Sequence, residues 1–224
     1  ASFKGAPLTE PVFLQKTRRL AAYLKGLNPW ELESAMKLNP QLALTAFEYA
    51  QNFEKDVRDS VENTSGFPDW PCPALLAFHG LAYRYLDAAS LTGEDLLYSQ
   101  DHLRIVSALY GLLRPLDGIF PYRLEFQCKI KPEGKSLYAF WGDDLSRALS
   151  GQTVINLASA EYAKAVSPKR SEGPRVITCE FRVPRRGKLV TLPTEAKMAR
   201  GRMARFILQN RLDSPEELTA FCWE

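Results

Sequence analysis

The chain has 224 residues, 46% hydrophobic and 25% charged, enough to bury a substantial core in one or two domains. No run of about 18 apolar residues occurs, which excludes a membrane-spanning helix, and no basic-then-apolar leader opens the sequence. The net charge of +3 is too small to mark a nucleic-acid binder by itself, but it conceals an asymmetry: Ala1–Leu112 carries 10 basic and 13 acidic side chains, Leu113–Glu224 carries 19 and 13.

Pro11–Leu27 places Phe13, Thr17, Leu20, Leu24 and Leu27 at helical spacing. LNPWELESAMK and LNPQLALTAFEYAQNF then open alike, with Asn28 and Asn39 as N-caps and Pro29 and Pro40 in the first turn. Glu31, three residues after Asn28, completes a capping-box pattern. Two helices joined through Leu38-Asn39-Pro40 make a helix-turn-helix or helix-hairpin-helix unit at 27–53, or an ordinary packed pair. The helical region as a whole is expected over 1–62.

Asn63–Pro73 is rich in breakers and reads as a loop. From Ala74 to the end, the expectation is a mixed-sheet core. ALLAF at Ala74–Phe78 reads as a buried strand, Gly80 starts a helix through Tyr83 and Leu86, and Glu94–Gln100 is helical after Thr92. Leu103–Val106, Tyr122–Lys129 and Thr153–Ala158 have strand character, while Ser136–Leu149 reads as one amphipathic helix. VITCEFRV and KLVTL, joined through Pro184-Arg185-Arg186-Gly187, look like a β-hairpin. Thr194 is placed as the cap of a helix running to about Arg211, and Ser214-Pro215-Glu216-Glu217 repeats the capping box. The fold class read from this order is α+β: a single domain with a mixed β-sheet flanked by helices and a helical N-terminal region.

The densest cluster of chemistry is DHLRIVSALYGLLRPLD at Asp101–Asp117, followed by PYRLEF at Pro121–Phe126. Arg104 sits in an apolar segment, where a guanidinium needs a partner or a ligand. With Arg114, Tyr122, Arg123 and Glu125, the cluster reads as the floor of an anion-binding site. Three further segments stand out. Trp141-Gly142-Asp143 puts a stacking ring beside a carboxylate, although Phe140 and Trp141 fit a core equally well. VINLASAEY presents Asn156, Ser159 and Glu161 at a strand's carboxyl edge, or simply caps the next helix through Ser159. TEAKMARGRMARF places Lys197 and Arg200 one turn apart, suited to phosphate or carboxylate or to surface ion pairs, with Arg202 and Arg205 pointing elsewhere. Gly201 inside that helix suggests close approach of another backbone or a ligand.

Standard catalytic signatures, including GxSxG, HExxH and phosphate-binding glycine loops, are missing. His79 and His102 read as surface or structural residues. Cys72, Cys128, Cys179 and Cys222 lie far apart without zinc-like spacing and read as free buried thiols of a reducing compartment. Glu125, Asp143, Glu161 and His102 could offer hard ligands to iron, but no spacing supports a site. No cofactor or metal is expected.

HLRIVSALYGLLRPLDG, PYRLE, GKSLYAFWGD, VINLAS followed by EY, AKMARGRMARF and NRLDSPEELTAF occur in order over Ala74–Phe221, with a looser match over the helical N-terminal third. Together they resemble the YaaA peroxide-stress family. The resemblance implies a cytoplasmic protein protecting DNA and protein from hydrogen peroxide, associated with lowering free iron. It also implies a single domain with a positively charged cleft and a DNA-binding helix-hairpin-helix-like element, which falls on Leu27–Phe53. Cleft candidates are Arg104, Arg114, Arg123, Lys135, Lys197 and Arg200. The family's opening strand ending in Ser-Pro-Ala-Lys and its closing segment beyond AFCWE are absent from this sequence, and Glu31, Glu33 and Glu48 outnumber Lys37 in the hairpin helices.

Two readings follow. One is a non-enzymatic stress protein binding double-stranded DNA through a basic cleft, tolerant of sequence and sensitive to salt. The other is an enzyme or binding protein for a small phosphorylated or nucleotide-like anion. There Arg104, Arg123, Lys197 and Arg200 grip the anion, Trp141 or Tyr122 stacks, and Glu125, Asp143 or Glu161 serves as acid or base.

Overall fold

The computed structural model describes residues 7–54, 71–167 and 173–222. Helix α1 (Leu14–Lys25) buries Thr17, Leu20, Ala21 and Leu24, the spacing read from the sequence. Helices α2 (Pro29–Met36) and α3 (Pro40–Gln51) follow, each with proline in its first turn. The Asn28 side chain accepts from the Glu31 N–H at 3.0 Å while Glu31 accepts from the Asn28 N–H at 2.8 Å, so the capping box is closed. Asn39 caps α3 through Leu42 N–H at 2.8 Å. Lys37 ends α2 in the left-handed region, φ 53°, which turns the chain back so that α2 and α3 pack together.

Of the expected loop, Asn63–Trp70 lies outside the described residues. Cys72–Pro73 forms a short strand β1, antiparallel to β4 (Gly118–Ile119). ALLAF is not a strand: Ala74–Ala77 is a one-turn helix, α4. Four apolar residues carry no periodicity that separates the two outcomes. Here the Ala74 and Leu75 N–H groups are drawn onto the Asp117 and Pro115 carbonyls at 2.8 and 3.1 Å.

Helix α5 (Leu81–Leu86) starts after Gly80, and α6 (Gly93–His102) starts after a closed Thr92/Asp95 capping box. The Asp101–Asp117 cluster then folds as a buried hairpin, β2 (Ile105–Ser107) antiparallel to β3 (Gly111–Leu113). Its turn needs glycine: Gly111 has φ +77°, and a Cβ there would sit 2.8 Å from the Trp141 ring. Tyr122–Lys129 is irregular rather than a strand. Its backbone donors are taken elsewhere, Gln127 N–H by the Glu161 carboxylate at 3.1 Å and Lys129 N–H by the Ala35 carbonyl at 2.8 Å.

The expected helix over Ser136–Leu149 is broken into α7 (Leu137–Trp141) and α8 (Asp144–Ala148) at Gly142, whose φ 59° and ψ −127° suit only glycine. β5 (Thr153–Asn156), α9 (Ala160–Val166) and β6 (Arg175–Thr178) form a parallel crossover unit. The hairpin is consequently shorter than expected, β7 (Val183–Arg185) with β8 (Lys188–Val190), because Val176–Thr178 pairs with β5 instead. Helix α10 runs Pro193–Asn210, with Leu192 rather than Thr194 at the capping position. Ser214 and Glu217 close the last capping box over a 3₁₀ segment, Pro215–Ala220.

Helices and strands are therefore mixed, but the described residues contain four separate two-stranded sheets and no single mixed sheet. Strands of two to four residues cannot carry a broad sheet. The core is shared between helices and hairpin, with Trp141, Tyr110, Phe126, Leu113 and Leu145 fully enclosed. All four cysteines are free, though only Cys72 is buried.

Helices α5 and α10 pack closely at Gly201. A Cβ on Gly201 would strike the Ala82 carbonyl oxygen and stand 2.9 Å from the Tyr85 Cβ. Gly201→Ala should therefore force the helices apart. Overpacking of this kind costs about 1–3 kcal/mol, and a thermal melt should show a midpoint lower by about 2–12 °C.

Candidate functional site

Trp141 is 1% exposed and its indole N–H donates to the Ala108 carbonyl at 2.9 Å. It belongs to the core and has no free face for stacking. Arg104 is half-buried and donates to the Gln100 and Leu103 carbonyls at 3.1 and 2.8 Å, closing the end of α6. Burial, then the nearby Arg114, lowers its pKa from the usual guanidinium range. Arg114 lies 3.7 Å from the Asp117 carboxylate. Arg104 thus ties the end of α6 to the start of the hairpin, while Arg114 Nε makes no hydrogen bond among the described residues. Arg205 is likewise engaged rather than solvated, donating to the Leu86 and Asp87 carbonyls at 2.9 and 3.0 Å.

Of the remaining candidates, Tyr122 lies near Tyr162, which is in turn near Glu125 and Glu161. The Tyr122 hydroxyl hydrogen-bonds the Ser107 hydroxyl at 2.7 Å, and Ser107 also accepts from the Tyr110 N–H at 2.9 Å. The Tyr122 ring meets Tyr110 and Phe78 edge-on at 5.6 and 6.3 Å, and Phe78 stacks on Tyr83 at 5.2 Å. Tyr162 lies within electrostatic reach of Tyr122 and Tyr83 on one side, and of Glu161 and Glu125 on the other. Packing of α9 against β2 brings this group together.

Beside it, a cavity of about 160 Å³ opens between the α2–α3 junction and the irregular loop. Lys37, Arg123, Glu125, Cys128 and Lys129 line it. Arg123 Nε is buried and has no hydrogen-bond partner among the described residues. Glu125, by contrast, is exposed.

The remaining candidates are dispersed. Asn156 bonds Thr178 Oγ1 at 3.2 Å and Ala158 N–H at 3.0 Å, tying off the β5–β6 edge. Ser159 occupies the capping position of α9 without a side-chain cap bond, and Asp143 the same position of α8. Lys135 and Lys197 are exposed and Arg200 is half-exposed. Among the described residues no group of three or more His, Cys, Asp or Glu is placed to hold a metal ion. No described helix is long and apolar enough to cross a membrane. Sequence reading missed Tyr83, Ser107, Tyr162, Lys37 and Lys129, because each looked like an ordinary helix or strand position until the loop and α9 closed over it.

A family model described as "Peroxide stress protein YaaA" matches residues 1–224. The chain belongs to the peroxide stress protein YaaA family. A UPF0246 protein of Alteromonas mediterranea is 44% identical over 223 residues, covering 95% of this chain and 82% of its own. One of Roseobacter denitrificans is 41% identical over 230 residues, with 97% and 84% covered. Another, from Parabacteroides distasonis, is 37% identical over 232 residues, with 100% and 87% covered. The resemblance of the YaaA family to motifs over Ala74–Phe221 thus extends along the chain, including the N-terminal helices.

The tyrosine cluster gives this family member a marked alkaline signature. Burial raises the phenols of Tyr83, Tyr110 and Tyr122 well above their ordinary range, and burial together with Glu161 pushes Tyr162 up to about 12. An unfolded tyrosine ionises near pH ~10, so the fold favours the neutral phenol. Its contribution to stability is complete below about pH 10 and is lost as pH rises through about 12. Phenolate absorbance should show a late-titrating group whose step at about 12 disappears in Tyr162→Phe.

Proposed function

We propose that this family member limits peroxide damage by binding duplex DNA through its phosphates, without reading sequence. The supporting observation is how the cations divide. Arg104, Arg114 and Arg205 are engaged inside the fold. Lys135, Lys197 and Arg200 reach the surface with no ion-pair partner among the described residues. Surface cations that do not neutralise the protein's own acids are free to neutralise phosphate. The helix pair α2–α3 has a hairpin shape, but it presents Glu31, Glu33 and Glu48 and so does not lead the contact.

Neutralising phosphates releases the cations condensed on them. Ferrous iron held on the same phosphates leaves with them. The reaction in which ferrous iron reduces peroxide to hydroxide and hydroxyl radical, itself becoming ferric, then occurs away from the DNA. On this reading, protection and a lower level of DNA-associated iron have one cause.

A second reading rests on the cavity at Arg123. Its volume of about 160 Å³ is below the roughly 300–1,000 Å³ of sites for drug-sized ligands. It suits a phosphate or small carboxylate held by Arg123, Lys37 and Lys129 rather than a nucleotide.

Fluorescence anisotropy with a labelled duplex across a salt series separates the two. DNA binding should weaken linearly in log–log form, and Lys197→Ala with Arg200→Ala should reduce the slope by about 2. Plasmid nicking by ferrous iron and peroxide should fall in step with occupancy. Absence of binding at about 50 mM salt, together with inorganic phosphate binding that Arg123→Ala abolishes, would overturn the first reading in favour of the second.

A further inference from the structure

The β7–β8 hairpin is built against local preference, and in each case the departure leaves a cation at its tip. Val183 pairs with Val190, Pro184 with Leu189, and Arg185 with Lys188. Like charges directly opposite one another in an antiparallel pair are destabilising. The two-residue turn puts Arg186 at φ 50° and Gly187 at φ 74°, both left-handed. A turn of that type strongly favours Asn, Asp or Gly at its first position, and a non-glycine residue with positive φ carries a steric cost. Arg185, Arg186 and Lys188 are all exposed, and none has an ion-pair partner among the described residues. Further back, Arg182 is neutralised by Glu180.

The pleat sorts the rest. Val183, Arg185, Lys188 and Val190 share one face of the ribbon, and Pro184 and Leu189 share the other. Leu189 is 65% exposed. A hairpin made only to finish a fold would cover its leucine and alternate its charges. This one presents three uncompensated cations beside an apolar edge. That combination matches a duplex, whose phosphates take the cations and whose sugars and base edges take the apolar side chains. Only Thr191 and Leu192 separate β8 from α10, which carries Lys197 and Arg200, so the arm continues the basic segment.

We infer that β7–β8 is a β-ribbon arm that grips duplex DNA, with Arg185, Arg186 and Lys188 on phosphates and Leu189 against the sugar-lined groove wall. This rests on the DNA-binding reading above and extends it to residues outside the sites considered so far.

The test uses the full chain, a random-sequence 25-bp duplex and a salt series. Arg186→Asn is the decisive variant, because it creates the favoured Asn-Gly turn while removing a cation. It should leave the melting midpoint unchanged or raised and reduce the salt slope by about 0.9. Combining it with Arg185→Ala and Lys188→Ala should reduce the slope by about 2.7 and weaken binding at least tenfold near physiological salt. Leu189→Ser should weaken binding several-fold with the slope unchanged. If the wild-type chain binds the duplex and the triple variant binds with the same slope and affinity, the arm is wrong and the DNA reading stands. If the wild type does not bind the duplex at all, both fall. If the triple variant loses only affinity for phosphatidylglycerol vesicles, the hairpin is a lipid contact and the inference is overturned.

Discussion

The arrangement of the core turns on one buried carboxylate. Asp117 is 0% exposed, and its two oxygens accept from Thr9 Oγ1 at 2.6 Å and from the Arg114 N–H at 2.7 Å. Its carbonyl receives the first N–H of α4. Gln100 extends the network, donating to Thr9 and accepting from the Leu116 N–H. Four separated stretches, from the N-terminal segment through α4 and α6 to β4, thus meet at one residue. A buried charge is tolerated only when its oxygens are satisfied, so the position of each stretch is fixed by the needs of the others.

The same rule sorts the described basic side chains into groups. One closes carbonyl ends inside the fold, as Arg104 does for α6 and Arg205 for α5. This is favourable because the last carbonyls of a helix lack partners and carry partial negative charge. A second is paired with acids near the surface, as Lys16 is with Asp144 and Arg182 with Glu180, and a third, including Lys135, Lys197 and Arg200, has no ion-pair partner among the described residues. A net charge of +3 therefore understates the chain's capacity for anions: the acids are spent in part on caps such as Glu31, Asp95 and Glu217, which are bound to backbone N–H groups.

Features set by near neighbours were legible in the sequence. The capping boxes read at Asn28 and Ser214 involve residues three apart, and both form; the structure adds a third at Thr92. Gly201 was legible as a point of close approach, though not what approaches it. Features set by distant partners were not. Val176–Thr178 reads locally as half of a hairpin, but its partner is β5, beyond an intervening helix. Trp141 looks like a stacking platform until Gly111 is seen to lie against its ring. Arg104 looks like a ligand-binding residue because the sequence shows the end of its helix but not that the guanidinium folds back onto the Gln100 and Leu103 carbonyls. The Tyr83, Tyr122 and Tyr162 cluster comes from three elements and has no linear signature at all.

The Gly201–Ala82 contact also has a consequence in time. Helix α5 is only six residues long and buries its inner surface on α10, which emerges roughly 120 residues later. At synthesis rates of about 5–20 residues per second, that is a wait of roughly 6–24 s. During it, the Ala82–Tyr85 side of the nascent α5 lacks its α10 partner. The packing of α5 is therefore finished only after α10 has been made.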